Sequence, residues 1–296
     1  MEEPDIIVPG REELAYLLTE AAEIEHGLMC NYLYAAFSLK SSVDEGLSEE
    51  ELAAVRRWRS TIFTVSREEM LHLAIVNNLL TAIGWKAHFF RPNFPVSPGY
   101  HPPGVNLFLA PFDEDTLDHF VFMERPEGVD LPDGAGFGPT ADYVRVANPE
   151  RLSPSAYDYQ TVGHLYRGIR DGLEGLCEKL GEKQLFSGDR EAQVTADLAQ
   201  LPGELEAITD LASALRGIAA IVEQGEGSPG HTEESHYHRF CEIRDEYKAF
   251  KAKNPDFAPA RPVARNPVMY KPPIPAGKIH ISEPAAARVL DIGNCV

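Results

Sequence analysis

The stretch that most constrains this chain is residues 66–80, Ser-Arg-Glu-Glu-Met-Leu-His-Leu-Ala-Ile-Val-Asn-Asn-Leu-Leu, which places a carboxylate and an imidazole inside an apolar helical stripe. The series Ile62, Val65, Val76, Leu79 and Ile83 runs at helical spacing, and Glu69 and His72 fall within it. Residues three apart on a helix stand one above the other on the same face. A carboxylate on a core-facing stripe is costly unless it is paired, protonated or bound to a metal. A Glu-x-x-His pair projecting into a helical bundle is the spacing with which such bundles hold two iron or manganese ions. Taken alone, the pair fits a surface salt-bridging Glu beside a hydrogen-bonded His better than a metal site. A second helix has to supply the rest.

That helix is predicted over about residues 11–40. Leu14, Leu17, Leu18, Ala21, Ile24, Leu28, Tyr32, Ala35 and Leu39 make one stripe, and Glu25 lies inside it. Glu20, Glu23 and His26 fall off the seam or at its edge, where a solvated face is expected to carry its charges. Tyr32, two turns beyond Glu25, fits a hydrogen-bond donor near the metals or, more simply, a core aromatic. Residues 41–48 form a short polar turn, and Ser48-Glu49-Glu50-Glu51 opens the next helix with a capping box. That second helix runs to a stop at about Gly84. A short turn makes the two helices antiparallel neighbours and sets Glu25 and Glu69 at comparable depth.

Prolines at 92, 95, 98, 102, 103, 111, 126, 132 and 149 forbid a long helix over residues 85–154. This segment is expected to be an ordered crossover with a short helix at 115–123. A third helix is expected over 155–180, with His164 near a face made small by Gly168, Gly172 and Gly175. His164 fits a hydrogen-bonded histidine at least as well as a ligand. After a polar loop, a fourth helix over 204–225 ends on Glu223, an anion at a helix C-terminus that calls for a cation nearby. A glycine-rich break follows, and a further helix from about residue 231 carries His236. Two partners are open for His236: Glu233, at literal Glu-x-x-His spacing, and Glu223, across the break. From residue 253 the chain is again Pro-rich and is expected to wrap the bundle as an extended tail, ending in an apolar segment, residues 285–296, that reads as the start of a helix.

The fold class expected is therefore mainly α: a four-helix bundle with long Pro-rich irregular crossovers. It is read as one domain, its core at about 11–84 and 155–252, its crossover at 85–154 and its tail at 253–296. The net charge of −19 excludes nucleic acid or an anionic membrane surface as the main partner, since both require a basic footprint. No membrane-length apolar run and no leader pattern at the N-terminus are found, so the expected location is cytoplasmic. Cys30, Cys177, Cys241 and Cys295 form no C-x-x-C pair, and free thiols are expected.

Several separated motifs then resemble one known family. These are Ala22-Glu23-Ile24-Glu25-His26-Gly27-Leu28-Met29-Cys30-Asn31-Tyr32, Glu69-Met70-Leu71-His72-Leu73, Thr161-Val162-Gly163-His164-Leu165-Tyr166, Ile221-Val222-Glu223-Gln224-Gly225-Glu226-Gly227 and Ser235-His236-Tyr237. In this order, over about residues 11–250, they are similar to the bacterial ferritin-like domain found in iminophenyl-pyruvate dimer synthase of violacein-type biosynthesis. The resemblance implies a ferritin-like bundle and a carboxylate-rich site with Glu25, Glu69, His72, Glu223 and His236 as ligands. His164 stands where the family pattern has a Glu; an imidazole can ligate but cannot bridge two metals. The implied cofactor is two iron ions, with manganese as the alternative. The expected function is an O2-dependent di-metal oxidase or oxygenase acting on a small organic molecule in specialised metabolism, in a chain compatible with a homo-oligomer. The competing expectations are a metal-binding or iron-storage protein without an organic substrate, and a structural bundle that has lost its metals.

Overall fold

Two long helices, α1 (Arg11–Ser38) and α2 (Glu49–Ala82), pack side by side and frame the molecule. The turn between them is short because Ser48 caps α2: its hydroxyl accepts the Glu51 N–H, while the Glu51 carboxylate accepts the Ser48 N–H at 2.8 Å. The computed structural model describes residues 5–96, 99–138, 157–201, 203, 205–227, 234–268 and 279–294. The crossover contributes α3 (Glu114–Met123), and α4 (Val162–Leu180) then returns against α1. A short α5 (Glu182–Leu185) leads by way of a 3-10 turn to α6 (Leu211–Gly225), which packs on α4 and α2. After the glycine-rich break, α7 (His236–Lys253) packs on α3 and α2. The fourth position of the bundle is thus shared by α6 and α7. One contiguous apolar core runs through these elements, from Ile6 to Phe257.

Three helix starts lie later than the periodicity suggests, each where a side chain satisfies the first free N–H groups. α4 starts after Thr161, whose hydroxyl accepts the His164 N–H at 3.1 Å, rather than at 155. α6 starts after Asp210, whose carboxylate accepts the Ser213 N–H at 2.8 Å, rather than at 204. The apolar Ile208, which fits the helical stripe, instead sits in an extended segment held by the Gln193 side chain through two 2.7 Å bonds. α7 starts after Ser235, so that His236 is its first residue; Glu233 lies outside the described residues.

The face of α1 expected to be solvated is covered. Glu20 and Glu23 are both fully buried. The crossover folds back over them: His88 Nε2 lies 3.0 Å from Glu23, and Tyr159 donates its hydroxyl to Glu20 at 2.5 Å. A helix packed on nearly every side has no single apolar stripe to count. The small face of α4 receives the N-terminal lead rather than another helix. A Cβ on Gly168 would come 2.7 Å from Ile6 Cβ, and one on Gly172 the same distance from Val8 Cγ2. At the other end, the tail runs along the close of α1, where the Lys40 N–H donates to Pro259 and the Arg261 N–H to Ser38. Pro267–Val268 then pairs in parallel with Ile279–His280, ahead of α8 (Pro284–Asn294). Cys30, Cys177 and Cys241 are free thiols. Among the described residues, no helix is long and apolar enough to cross a membrane.

Candidate metal centre

Glu25 on α1 and Glu69 and His72 on α2 converge in the interior, with His72 Nδ1 3.4 Å from Glu25 Oε2 and 3.2 Å from Glu69 Oε2. The other oxygen of Glu69 faces a second group: Glu69 Oε1 lies 2.9 Å from His236 Nδ1, which is 3.7 Å from Glu124 Oε2. Among the described residues these form two buried triads, Glu25–Glu69–His72 and Glu69–Glu124–His236, joined by one carboxylate. The imidazole rings stack with centroids 5.5 Å apart. Glu124 closes α3, brought to the bundle by the packing of α3 on α7.

Each half of the site has a partner behind its imidazole and a phenol on its outer carboxylate. His72 Nε2 donates to Gln224 Oε1 at 2.9 Å, and His236 Nε2 donates to Glu68 Oε2 at 3.0 Å; in both rings this turns Nδ1 toward the carboxylates. Glu68 is held in turn by Arg239 at 2.6 Å. The Tyr166 hydroxyl donates to Glu25 and the Tyr32 hydroxyl to Glu124. Burial above all, and then the carboxylates beside them, raise both phenols far above their ordinary range, so they remain donors.

The electrostatics are those of a site that holds protons where it can hold cations. Burial and the nearby Glu69 push the Glu25 carboxyl up to about 8. For His72 burial opposes the charged ring, but Glu69 and Glu25 outweigh it and raise the ring to about 10. His236 is likewise held well above its ordinary value, by Glu69, Glu124 and Glu68 against burial. Burial would raise Glu69 too, yet His236 and His72 hold it well below the usual carboxylate range. The donor set fits a pair of divalent ions. Two atoms each about 2.1 Å from one ion stand about 3 Å apart when the bonds are at right angles, close to the separations between Glu69 and the two rings. Although 2.9 Å apart, Glu69 Oε1 and His236 Nδ1 are not aligned for a hydrogen bond, and each is a buried polar atom left without one.

Of the residues singled out from sequence, the structure brings together Glu25, Glu69, His72 and His236. Glu223 is exposed on α6 and joins neither group. His164 is buried but likewise joins neither; it borders a separate cavity of about 680 Å³, together with Phe122, Arg125, Tyr159 and Thr161. Sequence reasoning missed Glu124, whose one signal was its place just beyond the short helix expected at 115–123. It also missed Tyr166, Gln224 and Glu226, all three standing inside the quoted motifs. Glu226 lines a small cavity against Glu25, Glu69, His72 and Glu124, where burial, with Glu127 and Glu124 nearby, pushes its carboxyl up to about 7.

A helical bundle with two buried carboxylate–histidine groups sharing one carboxylate belongs to the class of candidate dinuclear-metal bundle proteins. The family model described as "Ferritin-like" matches residues 18–245, and the chain belongs to that ferritin-like family. It is 29% identical to dichlorochromopyrrolate synthase of Lentzea aerocolonigenes, over 89% of this chain and 28% of that protein. It is 28% identical to 2-imino-3-(indol-3-yl)propanoate dimerase of Chromobacterium violaceum, over 90% of this chain and 26% of that one. The chain thus spans about a quarter of the length of these relatives. A crystal structure of a ferritin like protein from Caulobacter vibrioides aligns with TM-score 0.46 at 20% identity, over 81% of this chain and 74% of that one.

Proposed function

We propose that this chain is an O2-dependent di-metal oxidase or oxygenase acting on a small organic molecule in specialised metabolism, with two iron ions, or manganese in their place, as its cofactor. The observation that carries the proposal is the shared carboxylate: Glu69 offers one oxygen to the His72 group and the other to the His236 group. Glu25 and His72 would hold one ion, Glu124 and His236 the other, and Glu69 would bridge them. Carboxylates and imidazoles are the donors that suit iron and manganese, and no cysteine belongs to either group. Bound there, the pair of metals would supply electrons to dioxygen.

The chain's own residues supply the rest. Gln224 and Glu68 fix the two rings with Nδ1 inward. Tyr166 and Tyr32 give a hydrogen bond to one oxygen of each terminal carboxylate, which orients its other oxygen. Burial of all five residues keeps bulk water from the reacting centre. The named relatives are a synthase and a dimerase of small molecules, and this supports an organic substrate.

The test is to load the protein with ferrous iron without oxygen, then admit dioxygen and follow metal content and oxygen uptake with and without candidate aromatic imino or amino acids. An enzyme keeps two irons per chain and consumes oxygen in proportion to substrate. Iron accumulating far beyond two per chain would mean storage, and an absence of bound metal would mean a structural bundle.

A further inference from the structure

The small cavity at the metal ligands holds about 20 Å³, whereas the one bordered by His164 holds about 680 Å³. The first has room for little more than a water, and the second lies within the range of about 300–1,000 Å³ usual for small-molecule pockets. The two share their walls. At the close of α3, Met123 and Glu124 line the small cavity while Phe122 and Arg125 line the large one. At the start of α4, Val162 and Gly163 line the small cavity while Thr161 and His164 line the large one. A molecule in the large cavity is therefore held against a segment that also carries the metal-side residue Glu124.

The wall of the large cavity selects what can enter it. Arg125 is only 6% exposed. Its guanidinium carbon lies 3.7 Å from the centre of the Phe122 ring, and its N–H groups donate to the Phe122 carbonyl and, at 2.5 Å, to the Gln160 carbonyl. These contacts fix the plane of the fork. Gln160 is fixed in turn, since a Cβ on Gly104 would meet its carbonyl oxygen at 2.1 Å. An arginine keeps its charge at every working pH, and its planar fork matches a carboxylate. Phe122, Val129, Leu131 and Tyr159 supply apolar surface around it. The acids of the wall, Asp130 and Asp158, are exposed. A dianion such as phosphate is repelled by both, whereas a singly charged carboxylate on an apolar body is met by one buried cation and a hydrophobic wall.

We infer that this cavity binds the organic substrate, that the substrate is a carboxylate on an apolar body, and that Arg125 anchors it. Calling the ligand a substrate rests on the oxidase reading given above; the binding itself does not. Calorimetric titration of the metal-free protein with 3-phenylpropanoate, 3-phenylpropanamide and inorganic phosphate tests the binding. The carboxylate should bind, and the amide and phosphate should bind at least about tenfold more weakly. Arg125→Gln should cost the carboxylate at least about tenfold and leave the amide unchanged. Because Arg125 also ties α3 to the lead of α4, Val129→Trp serves as a second variant: position 129 is 36% exposed at the cavity, and an indole there should block binding with Arg125 intact. Equal binding of carboxylate and amide would overturn the inference, as would full binding in both variants or no binding of any probe. Phosphate bound as tightly as the carboxylate would make this an inorganic-anion site instead. In the Co2+-loaded wild type the bound carboxylate should shift the visible ligand-field bands, and bands unmoved at saturation would separate the cavity from the centre and refute its role as the substrate site. A protein that binds the carboxylate but takes up no Co2+ would fail the metal reading and leave Arg125 as the anchor.

Discussion

Glu68 touches neither group of ligand oxygens, yet its removal should weaken one metal and spare the other. It accepts the Nε2 proton of His236 at 3.0 Å and is itself held by Arg239 at 2.6 Å, with its side chain only 10% exposed. A buried carboxylate behind a ligating imidazole fixes the ring's orientation and makes the facing nitrogen a stronger donor. Loss of such a partner costs about ten- to a hundredfold in metal affinity. Glu68→Gln keeps an oxygen for the imidazole and loses only the charge, so it should fall near the lower figure, about 1.4 kcal/mol. Glu68→Ala loses both and should approach the upper one, about 2.7 kcal/mol. The His72 side, whose Nε2 partner is the neutral Gln224, should be unaffected by either, and Gln224→Ala should reverse the pattern. Titration of the metal-free variants with Mn2+ or Co2+ against a chelator resolves the two affinities. Equal affinities in Glu68→Ala and the wild type would refute the supporting role assigned to this shell.

Glu69→Ala should weaken both sites together, and Glu124→Ala the His236 side alone, whereas His164→Ala should retain both ions; metal analysis after gel filtration reads each outcome. Metal uptake should release protons, since His72, His236 and Glu25 hold theirs near neutral pH. Their values in the fold are raised, so lowering the pH favours the protonated form that competes with metal. Affinity should therefore tighten as pH rises through the Glu25 value of about 8 and on toward the His72 value of about 10. A pH indicator in weak buffer measures the release, and uptake independent of pH would contradict it. Gly188→Ala should lower the melting temperature without changing metal content, because a Cβ there would meet the Thr81 carbonyl oxygen at 1.7 Å; overpacking of this kind costs about 1–3 kcal/mol.

The half of the site on α1 and α2 was legible in the sequence because both helices are long, α2 starts at a clear cap, and they carry Glu25, Glu69 and His72 within apolar stripes. Glu124 was not, since it ends a ten-residue helix inside a Pro-rich crossover and no periodicity extends to it. The family resemblance and a place at a helix C-terminus point to Glu223 as a ligand, yet it is exposed. Which residues of α6 face inward is set by the rotation of the helix about its axis, through its packing on α4 and α2. The burial of Glu20 and Glu23 was hidden for a related reason: it depends on the crossover folding over α1, a contact between segments far apart in the chain.

The position of Glu124 also bears on how the molecule opens locally. A helix as short as α3 has little stability of its own in water, and it would ordinarily exchange its amide hydrogens with solvent well before the bundle does. Here its last turn ends on a side chain that joins α2 and α7 at one buried point. Its amides should therefore exchange at the pace of the bundle in the metal-loaded protein, making this crossover helix part of the slow-opening unit rather than of the surface.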